Sequence, residues 1–149
     1  FYNNIFIGGD NSKLKYGMVV FDVSQRPIYA ENNLFLNGSL PMTNKTQDWV
    51  EKTVDPKLKV EETVDGEVYL VSDINLQELT SFKGKGIDAD RLGITQLTGF
   101  PFENFDGTPF KLEKDFFGKE RSAFPVVGPV ESLPSSKRIK VWPNAECAR

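Results

Sequence analysis

The sequence predicts an all-β fold built as a parallel β-helix, in which short strands stack into successive rungs. Three observations predict it. A seven-residue motif returns after twenty-nine residues, the interval holds short segments rich in β-branched and aromatic residues, and no helical periodicity separates these segments. A period of this length that contains only strands is typical of a β-solenoid. A β-sandwich with two similar hairpins is the alternative that the repeat leaves open.

The repeated motif occupies residues 3–9 (NNIFIGG) and 32–38 (NNLFLNG). Rungs of a β-helix lie about 4.8 Å apart, so residues one period apart lie directly above each other. We therefore expect Asn4 over Asn33 in an asparagine ladder, and Phe6 stacked on Phe35 inside the solenoid.

The remaining strands of the period are predicted at residues 18–23 (MVVFDV) and 27–30 (PIYA). Residues 1–38 are thus interpreted as the last regular rungs. Residues 39–149 are interpreted as the irregular C-terminal rungs and cap of the same domain, because a terminal repeat must cover the open edge of the last rung.

Local signals within the cap predict several further elements. A helical turn is one interpretation of residues 46–52, and an alternating strand is expected within residues 54–62. Asp65-Gly66 is a hairpin signal before a second strand, and Asn75 is predicted to cap a short helix over residues 76–82. Two last strands are predicted from the same kind of pattern, at residues 111–117 and 138–142.

The composition excludes several kinds of chemistry. The chain has 149 residues, no histidine and one cysteine, Cys147. A Ser-His-Asp triad, an HExxH helix, an internal disulfide and a cysteine-pair zinc site are therefore excluded, and we expect no cofactor and no metal. Lys+Arg 18 against Asp+Glu 21 gives a net charge of -3, which argues against a nucleic-acid partner. No apolar segment reaches transmembrane length, so no membrane partner is expected.

The first residues already have the pattern of a strand within a sheet, so we interpret Phe1 as a cut point within a longer protein. No signal peptide is visible, and the compartment stays open between cytoplasmic and secreted.

Two segments near the C-terminal end carry a family resemblance. Residues 115–121 (DFFGKER) follow the pattern D-x-x-G-x-x-R, and residues 125–131 (PVVGPVE) follow the pattern P-x-x-G-x-x-E. This pair resembles the closing segment of many right-handed parallel β-helix carbohydrate enzymes. Within that group the chain resembles the β-xylosidases of glycoside hydrolase family 120, a resemblance that also includes residues 16–22, 27–38, 55–58 and 67–70.

The resemblance implies a retaining glycosidase that acts on β-xylosides or xylo-oligosaccharides, with an inserted β-sandwich elsewhere. Its catalytic carboxylates would lie upstream of Phe1, so no residue of this chain is assigned a catalytic role, and the segment alone is expected to be inactive. The implied partners are an oligosaccharide or polysaccharide and the upstream part of the same β-helix, with homo-oligomer formation left open. The alternative is a non-catalytic polysaccharide-binding or structural β-solenoid segment.

Asp22, Arg26 and Trp49 are the candidate substrate-binding residues. Strand alternation places Asp22 on the face opposite Phe21, and therefore on the outer surface if Phe21 fills the core. Asp22 and Arg26 would then bind sugar hydroxyls or form a structural ion pair, while a solvated, turn-capping Asp22 is the alternative. Trp49 and the aromatic residues within 100–105 are suited to stacking on sugar rings, or to packing the cap onto the last rung.

Asp22 and Glu31 are the acidic residues available within the regular rungs. A retaining glycosidase needs two carboxyl groups about 5–5.5 Å apart. The two residues lie on either side of a predicted corner, which argues against their pairing as nucleophile and acid/base.

Overall fold

The computed structural model describes residues 1–9, 29–41 and 47–143, and its strands form two small sheets. The parallel sheet contains β1 (Ile5–Ile7), β2 (Leu34–Leu36) and β3 (Trp49–Glu51). The antiparallel sheet contains β4 (Lys59–Glu62), β5 (Val68–Val71) and β6 (Arg138–Trp142). A 3-10 helix spans Leu76–Ser81 and a four-residue helix, α1, spans Ala89–Leu92.

The predicted all-β class is confirmed, because the described helices are short and the sheets dominate the fold. The complete β-helix stays a prediction, since the sheets are small and one of them is antiparallel. The division at residue 38 also stays a prediction.

The twenty-nine-residue repeat places β2 directly beside β1 in parallel register. Ile5 pairs with Leu34, and Ile7 pairs with Leu36. The chain then adds β3, where Trp49 pairs with Leu34. The stacking of the two copies of the motif is therefore confirmed, and a third, shorter-spaced strand joins the same sheet.

The asparagine ladder is present. Asn4 Nδ2 donates to Asn33 Oδ1 at 3.0 Å. Asn33 Nδ2 in turn donates to Asp48 Oδ1 at 3.1 Å, so an aspartate occupies the third position. A second pair of asparagines, Asn3 and Asn32, precedes the ladder, and both adopt the left-handed conformation with φ of 57°. Asparagine tolerates this conformation better than most residues, which suits it to the sharp turn into each strand.

The hydrophobic core lies on one face of the parallel sheet. Alternate residues of β1 and β2 point to this face and pack with residues of the 3-10 helix, the cap and β6. The buried residues of this core are Leu34, Leu36, Leu76, Leu79, Val127 and Ile139. Phe6 and Phe35 stack as predicted, with ring centroids 4.9 Å apart and an interplanar angle of 22°. Because they alternate with Leu34 and Leu36, they lie on the opposite face of the sheet, where Phe35 is buried, as expected, and Phe6 is half-buried.

Most local predictions in the cap are confirmed. Gly66, with φ of +78°, turns the hairpin between β4 and β5. Asn75 Oδ1 accepts the N–H of Gln77 at 3.1 Å and caps the 3-10 helix. The strand predicted at residues 138–142 is β6.

Two predictions in the described part of the chain are wrong. Residues 111–117 form no strand, because Lys111 and Lys114 make only isolated bridges to Asp88 and Glu120. The helical turn considered for residues 46–52 is replaced by β3, since the backbone there pairs with β2. The strand predicted at residues 18–23 lies outside the described residues.

The two segments that carry the family resemblance form one buried network, which we call the cap clasp (Asp115, Arg121 and Glu131). Asp115 Oδ1 accepts the backbone N–H groups of Phe117 and Lys119, both at 2.9 Å. Its Oδ2 accepts the N–H of Glu131 at 2.7 Å. Asp115 thus holds the turn that follows it and connects this turn to the second resembling segment at Glu131.

Arg121 completes the cap clasp and attaches it to the first rung. Its guanidinium donates to Gly128 O at 2.9 Å and lies 3.8 Å from Glu131 Oε2, with both side chains nearly buried. Gly128 N–H donates to Asn3 O at 2.7 Å. The clasp is therefore a structural device, and it places the cap against the rung that carries Asn3.

The outer face of the antiparallel sheet carries an ionic cluster centred on Glu67. Its carboxylate accepts hydrogen bonds from the Lys140 ammonium and from Tyr69 Oη, the latter at 2.7 Å. The Lys140 hydrogen bond, followed by that of Tyr69, holds the pKa of Glu67 below its ordinary value. The hydrogen bond to Glu67 raises the pKa of Tyr69.

Protonation of Glu67 is expected to weaken this cluster. Because the folded-state pKa is lowered, the stabilisation is complete above the unfolded-state pKa and is lost as the pH falls through the folded-state pKa. An NMR titration should place the midpoint of Glu67 below the ordinary range, and Lys140→Met should raise it. Lys57→Met, which removes an exposed pair with Asp73 at 3.4 Å, is the control and should leave the midpoint unchanged. An unshifted Glu67 in the parent chain would contradict the prediction.

Candidate functional site

A polar cleft lies where the loop containing α1 meets the turns into β1 and β2. Its volume is about 670 Å³, and residues from the segments 85–91 and 111–123 line it together with Glu31. Ligand pockets of proteins usually measure about 300–1,000 Å³, so the cleft has the size of a small-molecule site. A neighbouring apolar pocket shares Ile87 and Leu112 with it and extends along the first rung to Tyr2.

Arg91 is the residue that assembles the cleft. Asp88 caps α1 by accepting the N–H of Arg91 at 2.9 Å, which fixes the backbone from which the side chain extends. The guanidinium donates to Lys85 O at 2.7 Å and Gly86 O at 3.0 Å. It also donates to Asn32 Oδ1 at 2.9 Å, so the loop is attached to the second rung.

Tyr2 and Glu31 occupy equivalent places on the first and second rungs and are joined by a parallel bridge. The Arg91 guanidinium lies 4.4 Å from the centre of the Tyr2 ring and 3.2 Å from Glu31 Oε2. Arg91 is mostly buried, whereas the Glu31 side chain is 45% exposed. Glu31 is therefore a carboxylate with a fixed orientation that is accessible from the cleft.

The chemistry of the cleft suits a polyhydroxylated ligand. Carboxylates from Glu31, Asp88 and Glu120 offer hydrogen-bond acceptors, and Lys85 and Lys111 offer donors. The nearby apolar surface of Ile87 and Leu112 suits the apolar face of a sugar ring.

Among the residues that the structure describes, no group of three or more His, Cys, Asp or Glu is arranged to hold a metal ion. Within the same residues, no helix is long and apolar enough to cross a membrane.

Of the sequence-predicted site residues, Trp49 is the one that the described part of the chain contains, and it does not line this cleft. Asp22 and Arg26 lie outside the described residues. Trp49 packs edge-to-face against Phe82, with ring centroids 5.8 Å apart, beside the hydrophobic core. Its contact with a sugar stays a prediction. In the segment 100–105, Phe100 is 69% exposed, so this aromatic residue is not packed as cap material.

The sequence interpretation missed Arg91 of the cleft and Tyr2 of the neighbouring apolar pocket. The available signal was local, because Asp88 followed by Ala89 and Arg91 has the pattern of a helix N-cap. The pairing of Arg91 with Glu31 joins residues far apart in the chain, and no local pattern predicts such a contact.

No family model and no curated protein matches this chain. Its fold resembles that of a xylose-related glycoside hydrolase. The comparison is with the structure of XylC in complex with xylose, to which the chain is 26% identical with a TM-score of 0.75. The match covers 95% of this chain and 26% of XylC, so the chain spans about a quarter of that protein.

Proposed function

We propose that the chain is the C-terminal part of a retaining glycoside hydrolase that acts on β-xylosides or xylo-oligosaccharides, and that it forms the last rungs and cap of a right-handed parallel β-helix. The likeness to XylC, solved with xylose, over 95% of the chain carries this proposal. Two further features support it: the resemblance of residues 115–131 to the closing segment of such enzymes, and the ladder from Asn4 to Asp48.

In this proposal the chain contributes one wall of the sugar site. The catalytic carboxylates belong to other parts of the enzyme. Glu31, fixed by Arg91 beside Tyr2, would accept hydrogen bonds from sugar hydroxyls, and the side chains of Ile87 and Leu112 would contact the apolar ring face. The substrate-binding roles proposed for Asp22, Arg26 and Trp49 would add to this wall.

The test compares two glutamates in the natural polypeptide that contains this chain. Hydrolysis of 4-nitrophenyl β-xyloside and xylobiose is expected with retention of configuration, and residues 1–149 alone should be inactive. Glu31→Gln should lower kcat/KM about tenfold, because a neutral amide binds a sugar hydroxyl less strongly than a fixed carboxylate.

Glu61→Gln is the matched control, since Glu61 is also half-exposed and also pairs with an arginine, Arg138, at 3.6 Å. Glu61 lies on the antiparallel sheet, away from the cleft, so the Glu61→Gln variant should keep the kcat/KM of the parent enzyme. Failure of the intact polypeptide to hydrolyse any xyloside would overturn the proposal.

Polysaccharide binding without cleavage is the second candidate function. The exposed aromatic side chains Phe100 and Phe105 favour it, because unpacked aromatic rings offer a platform for sugar faces. Retention of the intact polypeptide on insoluble xylan, lost in a Phe100→Ala/Phe105→Ala variant and accompanied by no release of sugar, would support this function instead.

A further inference from the structure

The asparagine ladder has a direction. Asn4 donates both its backbone N–H and its side-chain amide to Asn33 Oδ1, each at 3.0 Å. Asn33 donates the same two groups to Asp48 Oδ1, at 2.8 and 3.1 Å. Aspartate has no side-chain amide N–H to donate, so the ladder ends at Asp48.

A third hydrogen bond accompanies each step of the ladder. Asn4 O accepts the N–H of Leu34 at 2.8 Å, and Asn33 O accepts the N–H of Trp49 at 2.9 Å. Each ladder asparagine therefore makes three bonds with the rung that follows it: two as donor to the next ladder side chain, and one as acceptor from the next strand.

The free edge of β1 presents the groups that would make the same three bonds with a preceding strand: Asn4 Oδ1, which would accept two of them, and the N–H of Ile5, which would donate the third. Among the described strands, β1 has β2 as its neighbour on one side. Alternate residues of a parallel strand bond to opposite neighbours, and Asn4 and Gly8 bond to β2. The backbone groups of Ile5 and Ile7 therefore point to the free edge. No described residue donates a hydrogen bond to Asn4 Oδ1, which is the acceptor equivalent to Asn33 Oδ1.

An apolar groove lies beside this edge. It measures about 390 Å³, and its lining includes Ile5, Ile7, Leu58, Val127 and Ile139. Ile5 and Ile7 are only half-buried, whereas the equivalent residues of β2 are fully buried. The groove thus continues the hydrophobic core to the open side of β1.

We propose that this open end, formed by the edge of β1, Asn4 Oδ1 and the apolar groove, binds a further parallel strand that carries an asparagine immediately before an apolar-x-apolar triplet. The asparagine donates its N–H and side-chain amide to Asn4 Oδ1 and accepts the N–H of Ile5. The two apolar side chains enter the groove. This edge chemistry holds whether or not the chain belongs to a xyloside hydrolase.

An aspartate at the ladder position of the incoming strand is disfavoured: it would keep the bond from its backbone N–H, but its carboxylate would face Asn4 Oδ1 with no proton between the two oxygens. The same difference between asparagine and aspartate at the ladder position distinguishes a further rung from a second copy of the chain as the occupant of the edge. In head-to-tail stacking, β3 of one copy would meet β1 of the next and would bring Asp48 to Asn4. Asp48 therefore acts against open-ended self-association, a hazard of exposed sheet edges.

The test joins the chain, through a flexible Gly/Ser linker of about 20 residues at its N-terminus, to a copy of residues 32–38 (NNLFLNG). The matched control carries NDLFLNG, in which one amide of the ladder becomes a carboxylate. Hydrogen exchange of the Ile5 and Ile7 amides is then measured. The asparagine tether should slow both about tenfold or more, and the aspartate tether should leave them within about twofold of the untethered chain.

The two free peptides, added in excess to the untethered chain, make the test independent of how the fusion folds. Only NNLFLNG should shift the NMR signals of the Ile5 and Ile7 amides. Equal protection by both sequences, or none by the asparagine sequence, would overturn the proposal. Protection that rises with concentration of the untethered chain would mean that a second copy occupies the edge, and would overturn it as well.

Discussion

Replacing Asp115 by alanine is expected to lower the free energy of unfolding by about 3–5 kcal/mol. The side chain is buried and accepts the backbone N–H groups of Phe117, Lys119 and Glu131 at 2.7–2.9 Å. A buried donor left without a partner costs about 1–3 kcal/mol, and alanine would leave three part-buried donors, so each is expected to cost an amount in the lower half of that range. Urea unfolding, followed by tryptophan fluorescence, measures the difference.

Asp106→Ala is the matched control for this substitution. Asp106 also accepts a backbone N–H and a hydroxyl, both from Thr108, but in an exposed turn where water replaces the lost acceptor. Its effect should stay within about 0.5 kcal/mol. Asp115→Asn keeps one carbonyl oxygen as an acceptor, so its loss in the free energy of unfolding should fall between those of Asp115→Ala and Asp106→Ala. Equal effects of Asp115→Ala and Asp106→Ala would show that the cap clasp does not stabilise the fold.

The part of the fold that could be predicted is the part with local or strictly periodic causes. The ladder from Asn4 to Asn33 followed from the repeat, and the turn at Gly66 followed from its dipeptide. The third rung was missed because its spacing is shorter and Asp48 replaces asparagine. A search for a fixed repeat does not detect a copy in which both the spacing and the residue at the ladder position have changed.

The cleft could not be predicted for a different reason. Tyr2, Glu31 and Arg91 come from three separate segments, and their meeting depends on how the α1 loop is docked against the rungs. Residues 111–117 failed in the same way. A strand was expected there, but the backbone forms only isolated bridges, between Lys111 and Asp88 and between Lys114 and Glu120. Tertiary contacts thus override a local propensity.

Gly84→Ala is expected to destabilise the chain by about 2–4 kcal/mol, through a clash inside the junction between the first rung and the α1 loop. A Cβ at this position would lie 2.2 Å from Asn3 Oδ1 and 2.9 Å from Asn3 Cγ. Asn3 is only 7% exposed, and its Nδ2 donates to Lys85 O at 2.8 Å. The asparagine must move, and it then loses that hydrogen bond.

Gly86→Ala is the control, because the nearest atom to its added Cβ, Ala123 O, is 3.8 Å away. Its effect should stay within about 1 kcal/mol. A double-mutant cycle sharpens the comparison. Asn3 has φ of 57°, which glycine adopts readily, so Asn3→Gly removes the clashing side chain without straining the backbone. In that background most of the cost of Gly84→Ala should disappear.

The Gly84→Ala substitution should also change the geometry of the cleft. Lys85 O accepts hydrogen bonds from both Asn3 and Arg91, so displacement of Asn3 by the added methyl group should also disturb the guanidinium that fixes Glu31. We expect the NMR signal of the Arg91 side chain to shift in Gly84→Ala and to remain in place in Gly86→Ala. A destabilised Gly84→Ala variant with an unchanged Arg91 signal would mean that the junction supports the fold without positioning the cleft.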